Sequence, residues 1–209
     1  MQVWTAIAAG LVGAAVGLLV NRRIGVRSPA APAAAGVIFA VLALRFGLDP
    51  VLPAYLYLAA VSVALALIDI DQRRLPNALT LPSYVVGLVL LGAAAFLVED
   101  GLRHFGSALA GMAGLWIIYA VLFFLHPRGM GWGDVKLAGV LGLYLGWLGF
   151  GAWTVGAVLA FLLGAVYGLV LVVLRRATRK TPIPFGPFMI AGAILAVLFG
   201  GRLAPYLGV

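Results

Sequence analysis

Apolar stretches about as long as a bilayer crossing follow one another along this whole chain, parted only by short polar turns. A spanning helix needs about 20 mostly apolar residues to cross the hydrocarbon of a membrane. Of the 209 residues, 65% are hydrophobic, against about 45–50% in an ordinary soluble domain. A cleaved secretory signal would confine that excess to one end, and no basic stretch precedes the first apolar run. The first run is therefore expected to be a retained helix. The chain is expected to be an all-α membrane protein, a polytopic bundle of about eight transmembrane helices. A single integral membrane domain over residues 1–209 is expected, with no soluble domain.

The expected crossings are residues 3–20, 33–47, 54–68, 81–98, 102–125, 135–148, 152–174 and 185–199. Residues 21–32 form a short linker whose prolines, Pro29 and Pro32, resist helix continuation. Pro76 and Pro82 bracket the entry to the fourth crossing, and Asn77 is a candidate cap for it. His126 to Gly133 reads as a glycine-rich loop. Trp116, Trp147 and Trp153 read as interface anchors and packing groups.

Charge orients the bundle. The formal net charge is +8, from fourteen Lys/Arg against six Asp/Glu. In a soluble protein this would suggest nucleic acid. In a membrane protein basic residues collect in cytoplasmic loops, and no nucleic-acid partner is expected. With the first loop in the cytoplasm, eleven basic residues fall on that side: Arg22, Arg23, Arg27, Arg73, Arg74, Arg128, Lys136, Arg175, Arg176, Arg179 and Lys180. Arg45, Arg103 and Arg202 fall on the other. Both termini are then outside. Asp69, Asp71 and Asp134 lie at the cytoplasmic edge, whereas Asp49, Glu99 and Asp100 lie opposite. The chain has no cysteine, which excludes disulfides and thiol-bound zinc. Two histidines, His104 and His126, do not make a metal site, and no cofactor is expected.

Acids at the membrane edge carry the chemistry. A carboxylate costs roughly 2.5–3.5 kcal/mol at the centre of a spanning helix, so such groups tend to face polar cavities and to have a task. Asp69 ends the third crossing. Asp71, two residues on, points to another helical face and reads as a solvated charge. Arg73 and Arg74 are near enough to keep a carboxylate ionised or to fix helix orientation. Asp134 follows glycines 129, 131 and 133, whose bare backbone can bend sharply and approach a neighbour closely. Two readings of Asp134 stand side by side: a helix cap, or a working acid on a cavity-lining loop. Lys136 reads either as a topology charge or as a carboxylate's partner. Three prolines among residues 182–187 preclude a regular helix interior. They read as a stiff entry to the last crossing or as an extended strip able to hold a substrate backbone. Asp69 and Asp134, meeting at the membrane edge, could share a proton and activate water.

Three separated blocks carry a resemblance. The first runs from Ile68-Asp69 through Leu75-Pro76-Asn77 to Leu79-Thr80-Leu81-Pro82. The second is Met130-Gly131-Trp132-Gly133-Asp134-Val135-Lys136-Leu137, and the third is Ile183-Pro184-Phe185-Gly186-Pro187-Phe188. In this order they resemble the type IV prepilin peptidases, membrane aspartic proteases of the Gly-x-Gly-Asp type. The resemblance implies Asp69 and Asp134 as the catalytic pair, six residues before Leu75 selecting Asp69 over Asp71. Gly131, Gly133, Lys136, Pro184, Phe185, Gly186 and Pro187 are expected to shape the site or bind substrate. Residues 10–23 look like the family's first helix. Many members carry a cysteine-containing insert after it, associated with N-methylation of the product. Here that insert is reduced to the 21–32 linker, so peptidase activity alone is expected.

The resemblance implies prepilin or pseudopilin substrates, each a short basic leader followed by an apolar helix. It implies cleavage after a glycine at their junction, on the cytoplasmic face of a bacterial inner membrane, for a type IV pilus or type II secretion machine. Two other readings use the same features: a proton-coupled transporter, whose acids would sit mid-membrane, and a non-catalytic pilus assembly protein.

Overall fold

A computed structural model describes residues 2–24, 28–126, 130–176 and 183–207. Among these residues lie eight α-helices and no strand: α1 Gln2–Ile24, α2 Ala30–Phe46, α3 Leu52–Gln72, α4 Asn77–Ala95, α5 Gly101–Leu125, α6 Trp132–Trp147, α7 Phe150–Val173 and α8 Gly186–Leu203. A 3₁₀ turn, Ala204–Leu207, follows α8. Six of these helices are long and apolar enough to cross a membrane. The other two, α2 with 17 residues and α6 with 16, are shorter. The chain is a polytopic all-α membrane protein.

Helix ends depart from the hydropathy reading where local chemistry extends a helix past its apolar run. α1 carries its polar Asn21-Arg22-Arg23 as a last turn, and α2 begins at Ala30, so most of the expected 21–32 linker is helical. Pro32 sits in the first turn of α2, where a missing N–H costs no helical bond. α3 continues to Gln72, closed by Arg73 in the left-handed region (φ 51°), whose N–H bonds the Asp69 carbonyl at 2.9 Å. Asp69 is thus in the last turn of a helix, not beyond its end. α4 starts at Asn77, and Pro82 lies inside it. α6 starts at Trp132, so Trp132 and Gly133 belong to a helix and not to the glycine-rich loop.

α6 is the centre of the bundle. From Asp134 to Trp147 every residue but Lys136 is buried, and α4, α5, α7 and α8 all pack on it. Sixteen residues at 1.5 Å each make about 24 Å, less than the roughly 30 Å of bilayer hydrocarbon. Lipid tails drive no hydrophobic association between helices, so close backbone contact through small residues has to hold them together. The α5–α6 seam works this way. A β-carbon on Gly111 would fall 2.6 Å from the Gly142 carbonyl oxygen, and one on Gly146 2.5 Å from that of Ser107. Trp153 of α7 donates its indole N–H to the Gly111 carbonyl at 3.0 Å, tying α7 to this seam.

The helices alternate in direction, so the turns sort to two ends. One end holds Arg22, Arg23, Arg73, Arg74, Lys136, Arg175 and Arg176 with Asp69, Asp71 and Asp134. The other holds Arg45, Arg103 and Arg202 with Asp49, Glu99 and Asp100. There His104 of α5 bonds the Trp147 carbonyl at the end of α6, at 2.9 Å, and Asp49 accepts the Val51 N–H at 2.9 Å in the α2–α3 turn. Arg27, Arg128, Arg179 and Lys180 lie outside the described residues.

Candidate active site

Asp69 is 4% exposed. Its Oδ2 accepts the backbone N–H of Gly186 at 3.0 Å, a contact between residues 117 apart in the chain. The donor is the first residue of α8, whose free amides and dipole favour an anion. Asp71, about 200° further round the same helix, is exposed. Burial therefore separates the two acids of this motif.

Asp134 is 8% exposed and occupies the third position of α6. The cap position belongs to Gly131, not to Asp134. The Asp134 carboxylate reaches back to accept the Gly131 N–H at 2.9 Å, while its own N–H bonds the Gly131 carbonyl at 3.0 Å. This is the carboxylate half of a capping box. The side chain both starts its helix and stands at the inner end of the glycine-rich stretch.

The three sequence blocks meet through small contacts. Leu75, in the turn after α3, is the shared neighbour. A β-carbon on Gly133 would lie 3.0 Å from Leu75 Cβ, and one on Gly186 would lie 3.4 Å from Leu75 Cδ2 and 2.7 Å from Asp69 Oδ2. Glycine at 133 and 186 is what allows α6 and α8 to close on this turn. Lys136 donates from Nζ to Asn77 Oδ1 at 2.8 Å. Its carbonyl accepts the Tyr84 hydroxyl at 2.6 Å, so one residue of α6 is held twice by α4. Asn77 spends its side chain on Lys136 instead of capping α4.

Gly133, beside Asp134, and Gly186, the donor to Asp69, both lie against Leu75, which brings the segments that carry the two acids together. Tyr119 of α5 is buried. Its ring packs on Phe161 at 5.4 Å and on Phe185 at 6.3 Å between centroids. Phe185 takes helical backbone angles (φ −90°, ψ −25°) and also packs on Phe161, at 5.3 Å. It is a packed wall, not part of an extended strip. Pro187 lies in the first turn of α8, where proline is tolerated, and Pro184 precedes it in irregular chain. Thr181 and Pro182 lie outside the described residues. Tyr119 is a residue the sequence reading misses, and Leu75 enters it only as a marker in the first motif block. The available signal for Tyr119 was its place on the buried stripe Ala108, Gly111, Leu115, Tyr119.

Each carboxylate is buried and accepts a backbone amide through Oδ2; two carboxylates brought side by side in such surroundings can share a single proton. Such a pair can take a proton from water and give one to a neighbouring group. Fold and site together define a polytopic membrane protein with two buried acids at the basic end of its bundle.

The chain belongs to the type IV leader peptidase family, whose model matches residues 56–173. It is 39% identical over 155 residues to the prepilin leader peptidase/N-methyltransferase of Aeromonas salmonicida, covering 72% of this chain and 50% of that protein. It is 34% identical over 182 residues to the protein of the same name from Pseudomonas aeruginosa, covering 86% and 61%. With that of Bacillus subtilis it shares 30% over 187 residues, covering 89% and 71%. The chain thus spans about half the length of the Aeromonas relative. No solved structure matches.

Proposed function

We propose that this protein is an intramembrane aspartic endopeptidase that removes the basic leader from prepilins or pseudopilins at the cytoplasmic edge of a bacterial inner membrane. The observation that carries this reading is that Asp69 and Asp134 are both buried at the basic end of the bundle, on segments that meet at Leu75. The resemblance of the three motif blocks and the names of the relatives agree with it. A leader substrate has its polar–apolar junction at the height of these acids, provided that the basic end faces the cytoplasm.

In the mechanism, water enters between the two carboxylates. One, ionised, takes a proton as the water oxygen attacks the scissile carbonyl carbon. The other, protonated, hydrogen-bonds the carbonyl oxygen, and the tetrahedral intermediate then collapses with protonation of the leaving amine. The acids titrate as a pair, so the two roles belong to the dyad. Gly131 and Gly186 hold the carboxylates in place through their amides. N-methylation of the product is not proposed. The chain has no cysteine, and only a few residues separate α1 from α2.

The test is cleavage of a co-expressed prepilin read by mass. The wild type is expected to shorten it. Asp69→Asn and Asp134→Asn are each expected to lower cleavage by about 10³-fold or more while the protein still accumulates. Asp71→Asn is expected to stay within a few-fold of wild type. An intact substrate with every variant, the wild type included, would point to the transporter or the silent assembly protein instead. Loss of cleavage in Asp71→Asn with an active Asp69→Asn would overturn the choice of dyad.

A further inference from the structure

An apolar groove of about 200 Å³ runs along the flank of the bundle between α2, α3 and α8. Its α3 wall includes Ser62 and Ala66, and its α8 wall includes Ile190 and Ile194; Ala30 and Ala34 of α2 form the opposite side. Helical spacing shows where these walls lead. Ser62, Ala66 and Asp69 are four and three residues apart, one stripe of α3, while Ile194, Ile190 and Gly186 are each four apart, one stripe of α8. The two stripes converge on the Gly186 N–H to Asp69 hydrogen bond. Asp69 and Gly186 therefore lie on the lines of these two walls, about one helical turn beyond the residues that line the groove. Most of the side chains along α2 and α3 are Ala or Ser, the residue types that let the backbone of another helix come close.

We infer that this groove seats the apolar helix of the leader-bearing substrate, with the leader junction beside Asp69. The inference rests on the peptidase reading and deepens it by naming where the substrate helix lies. A helix along the walls would end at the acids, where its chain must leave helical form to be cut. Ala66 is one turn of α3 from Asp69, so the bound helix begins within a few ångströms of the carboxylate.

Ala34→Phe and Ala66→Phe fill the groove without touching either acid. Two substrates separate the outcomes: a prepilin with its helix, and a short peptide bearing only leader and junction. For each variant kcat/KM on the helix-bearing substrate is expected to fall about tenfold or more, with the short peptide changed less than about twofold. Ala34 is exposed, so its replacement leaves packing intact should Ala66→Phe fail to fold. A photo-crosslinking phenylalanine analogue at position 34 is expected to capture the substrate helix, and one at Val166, on the lipid-exposed side of α7, is not. Equal loss on both substrates, no loss on either, or crosslinks from position 34 only to lipid or to a second copy of the chain would each overturn the inference. A wild type that cuts neither substrate removes the peptidase reading itself, and the groove assignment with it.

Discussion

One backbone amide positions one acid. The Gly186 N–H is the hydrogen-bond donor to Asp69, and the missing side chain of Gly186 is what leaves room for that carboxylate. Gly186→Ala would place a methyl group 2.7 Å from Asp69 Oδ2, inside contact distance, so the carboxylate has to move. Leader cleavage is expected to drop by about ten- to a hundredfold, with protein yield near wild type. Gly201→Ala, where an added β-carbon meets nothing within 4 Å, is the control and should leave cleavage unchanged. At this scale the sequence was informative about the acids, because a carboxylate at the end of an apolar run is costly and so conspicuous. It marked Leu75 as part of the first motif block, but not as the packing point of the site. Its seat against Gly133 and Gly186 arises only when three distant segments meet. Asn77 misled for a related reason. Its place after Pro76 fits a cap, yet a cation 59 residues away takes its side chain.

Between elements, the Lys136–Asn77 hydrogen bond joins the start of α4, next to the turn after α3, to the second turn of α6, just beyond Asp134. Lys136→Met and Asn77→Ala are each expected to reduce kcat about tenfold with KM nearly unchanged. The double variant should be little worse than either single one, since both remove one contact. Additive losses in the double variant would show that the two side chains act separately. Asn77→Asp should retain activity, because a carboxylate also accepts from Lys136. All eight elements were legible as apolar runs, and their polar ends were not. Asn21-Arg22-Arg23 and Asp69 to Gln72 are helical despite their charge, since cations near a helix C-terminus are stabilising and Arg73 closes α3 in a left-handed turn. Trp132 and Gly133 are helical because the Asp134 carboxylate binds the amide that opens the helix.

Across the whole molecule, the uneven spread of basic residues predicts orientation, and the absence of cysteine makes that easy to check. Cysteines placed singly at the exposed Asp49 and Asp100 should react with a membrane-impermeant maleimide on intact cells. A cysteine at the exposed Arg74 should react only after lysis. Labelling of position 74 from outside would reverse the bundle and remove the acids from the leader side. The central helix has a consequence for the surrounding lipid. At about 24 Å, α6 is roughly 6 Å shorter than the hydrocarbon slab, yet α4, α5, α7 and α8 enclose it, so its shortness is absorbed inside the protein and never presented to acyl chains. Turnover in reconstituted vesicles should therefore change little as acyl chains lengthen; a steep decline would show that the outer helices, which do meet lipid, govern how solvent arrives at Asp134.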